Sequence, residues 1–472
     1  MAGTFIIGER KVRPGQYYRR FTDGGVETSG ANNGVLAALF KSNWGPLNKE
    51  FDLDVSMRNN LSDYYGNGTE ILKEGFIGGA TTIRAVRIGS DDGETSKITL
   101  KGIKEVETTH VEEVTTYTTT TTYTTVTTYT TVSTYTTSTP VVATETTVQP
   151  ITVVTPTTTY TTSISTETAT VDAVEISAAY VGDRAFTVSI RTNLITDQRE
   201  CVIYDDTEIF DKISFEAGEN EAANLVAALQ SNKNFNARLI EDCELNDITQ
   251  STMEGGKNPS VLVSSYDKGT NVLERYKWNC LIADTDDPAV AGVLDAFTDQ
   301  SYETGHLGMY CTGGKSSQAF EDRLQFAASL NDEKGVYVLN GWRDSTGKEY
   351  EGYLAAARIG GMVAAFAANT SITHDVITGA TELIEPLTNG EIIKAEQKGC
   401  LVLSLNDSDQ IQIDNAINTL VTPSAEMDEG WKKIRRTKTR FELMDRINST
   451  VDTLVGKVNN DTDGRQTIIA AA

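Results

Sequence analysis

EGYLAAARIGGMVAAFAANTSITHDVITGATELIEPLTNGEIIKAEQKGCLVLSL, residues 351–405, is the stretch from which the chain is read. Ile359, Met362, Val363 and Phe366 fall at i, i+3, i+4 and i+7, one face of a helix. Around them Ala355, Ala356, Ala357, Gly360, Gly361, Ala364 and Ala365 let neighbours approach closely, although each helical glycine costs about 1 kcal/mol against alanine. Asn369, Thr370 and Ser371 end this helix, and a connector runs over 370–387. Thr388 with Glu391 makes a capping box that starts a second helix, and Gly399 suits the left-handed position after its last turn. Residues 400–405 then form a short buried strand. Helix, connector, helix and strand carry no catalytic pattern; the stretch reads as part of a building block.

The same rhythm extends on both sides. Upstream, CLIA at 280–283, residues 306–311 and 336–340 read as strands. Residues 288–300 and 316–329 read as helices between them. Strands alternating with helices through short connections predict a parallel or mixed sheet with helices on its faces. Near the start, residues 56–65 and 70–77 read as helices and TIRAVRI at 82–88 as a strand. Between these halves the composition changes. About half of residues 108–170 are threonine, and Tyr117, Tyr123, Tyr129 and Tyr135 recur every six residues with Val126 and Val132 midway. In a strand the tyrosines share one face and the valines the other. Two readings stand for this segment: a long β element or small β-solenoid, and a disordered or glycosylated spacer. Residues 171–242 return to ordinary composition and read as a compact β-rich insert with one helix at 220–230. Beyond 405, residues 410–413 alternate as a strand, Lys432 to Arg440 form a basic run, and a helix is predicted over 440–458.

A formal charge of −25 argues against a nucleic-acid surface and keeps free subunits mutually repelling. Five scattered cysteines read as buried reduced thiols, and His110, His306 and His374 lack zinc-ligand spacing. Phe5 to Ile7 is too short an apolar run for a signal peptide, and nothing approaches the roughly 20 apolar residues of a membrane span. Three catalytic readings fail on residue type. In Thr312-Gly313-Gly314-Lys315-Ser316, Met309 stands where a phosphate loop needs its first glycine. Asp284 and His306 are in the chain order of a serine protease, but Gly360 to Val363 holds no serine. Asp284 with Asp286 or Asp287 is the carboxylate pairing expected by chance in so acidic a chain.

The order of motifs resembles the contractile tail sheath proteins of bacteriophages, in particular the short sheaths of phages and phage-like particles of Gram-positive bacteria. The matching residues are VRPGQYY at 12–18, NWGP at 43–46, GGATTIRAVRI at 78–88, GYLAAARIGGMVAAFAANTSIT at 352–373, INTL at 417–420, RRTKTRFELMDRI at 435–447 and GKVNN at 456–460. The resemblance implies an α+β multidomain fold: a non-catalytic, subtilisin-like α/β domain, a β-rich insertion, and an α+β domain formed by the N- and C-terminal segments. The division is a strand-bearing arm at 1–22, the first part of the α/β domain at 23–106, the threonine-rich insertion at 107–170, a small β-rich insertion domain at 171–244, the α/β domain at 245–387 and an assembly domain at 388–472. Val12, Arg13, Pro14, Gly15, Tyr17 and Tyr18 would donate a strand to a neighbouring subunit. Lys432, Lys433, Arg435, Arg436, Lys438 and Arg440 would meet the tail tube or a neighbour, the competing reading being charge pairing inside the subunit. Implied partners are further copies of the chain in a helical homopolymer, the tail tube, and baseplate and terminator proteins, with no cofactor, direct nucleic acid or stable membrane insertion. The implied location is a virion tail assembled in a bacterial cytoplasm. Two features depart from the family pattern. The threonine-rich insertion is additional, and the family continues past the GKVNN motif with a helix and terminal strands, whereas this sequence stops at Ala472. A surface adhesin that binds through its threonine-rich hexads is the alternative from another class, and a degenerate hydrolase the third.

Overall fold

VLAALF, CLIA and GVYV show no polar alternation, as strands covered on both faces require. A computed structural model describes residues 2–4, 16–18, 34–132, 141–367, 369–452, 454 and 456–471. It places these runs in a seven-stranded sheet. The strands are β1 (Val35–Phe40), β2 (Glu50–Asp54), β3 (Thr82–Arg87), β4 (Cys280–Ala283), β5 (Met309–Gly313), β6 (Gly335–Val338) and β7 (Cys400–Leu401), in spatial order β7-β6-β5-β4-β1-β3-β2. Every pairing is parallel except that of β2 with β3 at one edge.

Helices cover both faces. They are α1 (Glu70–Ile77), α2 (Val263–Leu273), α3 (Pro288–Glu303), α4 (Phe320–Leu330), α5 (Tyr353–Ala365), α6 (Asn389–Gln397), α7 (Ile434–Asp452) and α8 (Thr462–Ala471). Leu36, Ala38 and Phe40 face a core shared with α1 and α5. Ala37 and Leu39 face the opposite core, with Tyr266 and Leu273 of α2 and Val290, Leu294 and Phe297 of α3. α4 and α6 close the β6–β7 end around Tyr337 and Cys400. The small residues of α5 make the tightest contact. A Cβ on Gly361 of α5 would lie 2.2 Å from the Gly75 carbonyl of α1, and one on Gly78 would lie 2.3 Å from the Arg358 carbonyl. The two helix backbones therefore touch where only glycine fits. Arg358 Nε donates to Glu74 Oε2 at 2.8 Å across this buried crossing. The capping box at Thr388 and Glu391 forms with both halves present.

Several boundaries differ from those predicted. Helix α2 is an addition to the expected helices: Tyr266, Thr270 and Leu273 share its buried face, and Gly269 lets it pack closely on Ile88 and Leu39. Residues 400–405 break at Val402, so Cys400–Leu401 joins the central sheet while Leu403–Leu405 pairs antiparallel with Ile411–Ile413. β7 and α6 thus complete the central body from within the segment assigned to 388–472. The last long helix begins at Ile434, not near Arg440, so most of the basic run lies inside it. Its buried face is Ile434, Thr437, Lys438, Phe441, Glu442, Asn448 and Val451 among the described residues. Helix α8 comes after the GKVNN motif.

Between β3 and β4 the chain leaves the body. The segment 186–252 contributes a four-stranded antiparallel sheet, in which Arg199–Asp205 pairs with Glu208–Phe215. Ala222, Leu225 and Leu229 of the helix Glu221–Leu229 pack into its core. Trp44, from the NWGP motif just after β1, is buried in that same core, edge-on to Tyr180 and Phe186 with ring centroids 5.1 and 4.9 Å away. The threonine-rich segment is β structure, a single two-stranded antiparallel hairpin. Lys97–Val132 pairs with Val141–Ala178 from Lys97↔Ser177 to Val132↔Val141. Its base (Leu100, Ala173, Val174, Ile176) is buried in the insert, and its arms are exposed over 109–125 and 146–164. Tyr117 lies opposite Pro156 and Tyr123 opposite Pro150, on one face as period two requires; Tyr129 keeps the same parity and Tyr135 lies outside the described residues.

Candidate functional site

In open α/β sheets ligands bind beyond the carboxyl ends of the strands, where the strand order reverses. Here that place lies between β1 and β4, and a cleft of about 700 Å³ opens over it, lined among others by Lys41, Ser42, Glu70, Asp284 and Tyr353. Asp284 and the neighbouring aspartates are held by partners of the same chain. Asp284 accepts from Tyr266 Oη at 2.6 Å and from the Lys41 amide at 2.6 Å, with Lys41 Nζ 3.9 Å away. Burial pushes the Asp284 carboxyl above its ordinary range against these contacts. Asp286 pairs with Lys315 at 3.2 Å, and Asp287 caps α3 by accepting from the Ala289 amide at 2.9 Å. The three aspartates have three separate structural partners and do not form a carboxylate pair.

His306 stands before β5, at the end of the sheet opposite Asp284, because the strands between them run parallel. It stacks 4.8 Å from Trp278, and burial holds its imidazole below its usual value. Asp284 and His306 therefore cannot share a proton, and the expected protease geometry is not assembled. The position opposite them on α5 is filled by Gly360, against Ile282. The loop Thr312 to Ser316 does join a strand to a helix, but its amides are taken. Gly314 donates to Val338 O at 2.9 Å, and the Ser316 amide and hydroxyl both donate to Glu351 Oε2, at 3.0 and 2.8 Å. A phosphate here would displace a carboxylate and face Asp286. Among the described residues no cluster of His, Cys, Asp or Glu fits a metal ion, and no helix is long and apolar enough to cross a membrane.

The expected assembly residues separate into an arm and a basic run. Val12, Arg13, Pro14 and Gly15 of the arm lie outside the described residues. Tyr17 and Tyr18 belong to the strand Gln16–Tyr18, which pairs in parallel with Ala2–Thr4. The basic run divides by direction. Lys438 points inward, is buried, and its Nζ donates to the carbonyls of Val363 and Ala364 at 2.7 and 2.8 Å, capping the last turn of α5 beneath the Phe366 ring. Burial lowers its ammonium to about 8, opposed by nearby Glu442. Arg440 lies 3.6 Å from the Trp431 ring centroid and donates to Thr437. Lys433 and Arg436 are exposed and Lys432 and Arg435 half-exposed. Of these, Lys432 pairs with Glu429 at 2.7 Å, Lys433 donates to Asn415 Oδ1 at 2.6 Å, and Arg436 is 3.5 Å from Asp428.

Two positioning residues escape a reading by sequence alone. Asn418, in the INTL motif, is fully buried and donates to Glu333 O and Trp431 O at 3.0 and 2.7 Å, stitching the basic segment to the strand end before β6. Arg87 donates to Ser42 O, Gly45 O and Val181 O at 2.8–2.9 Å and so fixes the turn that presents Trp44. A polar residue inside an apolar run is the only sequence signal for either.

Comparison with known proteins bears on this architecture. Residues 261–419 match the family described as "Phage tail sheath protein central domain". They include β4 to β7 and α5 and end within the INTL motif. Among solved structures, a sheath tail protein from Desulfitobacterium hafniense superposes with a TM-score of 0.65 at 16% identity, covering 96% of this chain and 86% of that one. A sheath tail protein from Listeria innocua gives 0.64 at 16% identity, covering 94% and 84%. At such identity the likeness is one of fold. No curated protein sequence matches the chain.

Proposed function

We infer that this chain, a member of the phage tail sheath family through its central domain, is a structural subunit of a contractile sheath. It polymerises around a tail tube and contracts to drive the tube through a cell envelope. The observation that carries this reading is the family match over 261–419, which falls on the body whose ligand-binding edge is occupied by its own ion pairs and caps. The central domain is taken as a subtilisin-like scaffold without the enzyme's nucleophile. The arm at 1–22 is taken to add a strand to a neighbour, and 388–472 to carry the assembly contacts.

Within the basic run, the tube or neighbour contact is assigned to the outward set Lys432, Lys433, Arg435 and Arg436; Lys438 and Arg440 hold the helix that presents them. Baseplate and terminator proteins would close the two ends, in the tail of a phage or phage-like particle. The test is co-expression with the cognate tube protein and then ultracentrifugal pelleting. The native chain pellets with the tube, and replacing the four outward cations by glutamate releases it. Equal pelleting of both would rule out the basic contact.

A further inference from the structure

We propose that the threonine-rich hairpin is a self-association element. Its occupant is the same hairpin of a second copy, paired edge to edge and antiparallel through the first arm beyond Lys104, its base being already paired with Glu244–Leu245. The observations are confined to the hairpin, so the inference stands apart from the sheath reading. A two-stranded ribbon alone in water is marginal, and this one extends far beyond the core that anchors its base. One face sets large apolar side chains among the exposed threonines: Tyr117, Tyr123 and Tyr160 are 70%, 69% and 69% exposed, with Val154 and Ile164 on the same face.

Charge selects the occupant. The chain carries −25, yet residues 114–166 contain a single charged residue, Glu145. Two copies that repel elsewhere can meet here. The first arm has no lysine or proline beyond Lys104 to blunt its open edge, the usual defence of exposed strands. The second arm has Pro150 and Pro156, which cannot donate to an added strand. The open template is therefore the first arm.

Charge also selects direction. Glu105, Glu107, Glu112 and Glu113 lie at the base of the first arm and none of its residues beyond is charged. Parallel pairing would set the glutamates of one copy against those of the other. Antiparallel pairing sets each acidic base beside a neutral tip. The six-residue tyrosine repeat keeps tyrosines aligned when the register slips by one repeat. Prolines are tolerated where the missing N–H faces outward. By that rule Tyr117 and Tyr123, opposite Pro156 and Pro150, also turn their amides outward, as do Thr119 and Thr121 between them.

The test is amide hydrogen exchange on the full-length chain, free of tube, at low and high protein concentration. Peptides spanning 112–125 should slow at least tenfold with concentration, while peptides spanning 148–162 do not. Replacing Thr119 and Thr121 by proline removes two outward donors and should abolish the concentration dependence. Replacing Thr152 and Val154 by proline, on the other arm, should leave it intact. Unchanged exchange of 112–125 at every concentration overturns the proposal, as does equal loss from both proline pairs. Slowing of 112–125 only on addition of bacterial cell-wall fragments would overturn it in favour of an adhesin. Each result is obtained without reference to cylinder formation, so failure here and failure of the sheath reading are distinguishable.

Discussion

In the three-layer body, Leu36 and Ala37 point to opposite faces of β1 and both are fully buried; in the hairpin, Tyr117 and Tyr123 lie on a β surface and remain about 70% exposed. Both regions are rich in β-forming residues. The difference lies in the element that comes after each strand. After β4 and β5 that element is a helix returning over the sheet, and other helices of the same chain cover the remaining central strands. In the hairpin 36 residues run out and 38 return; Glu244–Leu245 and Phe235–Leu239 flank its base, and beyond residue 104 the described residues supply no third element. The body is therefore complete as a fold, whereas the hairpin beyond residue 104 adds little to the stability of its own subunit.

The comparison can be broken most strongly at Trp44, which belongs to the body by sequence and to the insert by packing. Trp44→Ala should cost about 3–5 kcal/mol and uncouple the two cores. Chemical denaturation monitored at the body and the insert should change from one transition to two. Gly361→Ala forces a Cβ against the Gly75 carbonyl and should cost about 1–3 kcal/mol or more, read as a lower denaturation midpoint of the body. Lys438→Met keeps the volume but leaves the Val363 and Ala364 carbonyls without their donor. A loss of about 1–3 kcal/mol is expected, with faster exchange at the end of α5.

Asp284 gives a smaller effect with a definite sign. Burial raises its carboxyl, so the native state binds its proton more tightly than the unfolded chain does. That contribution is full below the unfolded value near 4 and is lost as pH rises through the native value. Asp284→Asn should therefore leave stability at pH 7 equal or higher and shrink the difference between pH 4 and pH 7. The smallest effect is expected from the hairpin itself. Excising residues 108–165 and joining Glu107 to Thr166, which face each other in the register, through Asn-Gly should move the body's stability by less than about 0.5 kcal/mol. A larger loss would mean that the arms support their own subunit.

The body is legible in the sequence wherever one signal acts alone. Apolar runs mark β1, β4 and β6, and the capping box marks the first turn of α6. The glycines of 351–405 signal close approach, and Gly361 against Gly75 is that approach. Helix α2 is less legible because Ser265, Gly269 and Thr270 dilute the apolar signal of Tyr266 and Leu273 on its buried face. The break at Val402 is not legible, because one apolar run serves two sheets, a matter of tertiary partners. For the hairpin, the hexad shows that tyrosines share a face but not whether the strand has a partner; the pairing register supplies it. At the basic run, residue type cannot separate Lys438, turned onto the end of α5, from Lys433, turned out, because that depends on where α7 begins.

The central claim is that this body polymerises as a sheath. Negative-stain electron microscopy of the full-length chain co-expressed with its tube protein tests it most directly. The account predicts striated cylinders enclosing the tube, retained when residues 108–165 are excised. Well-folded, monodisperse particles beside bare tubes, for both the native and the excised chain, would contradict it.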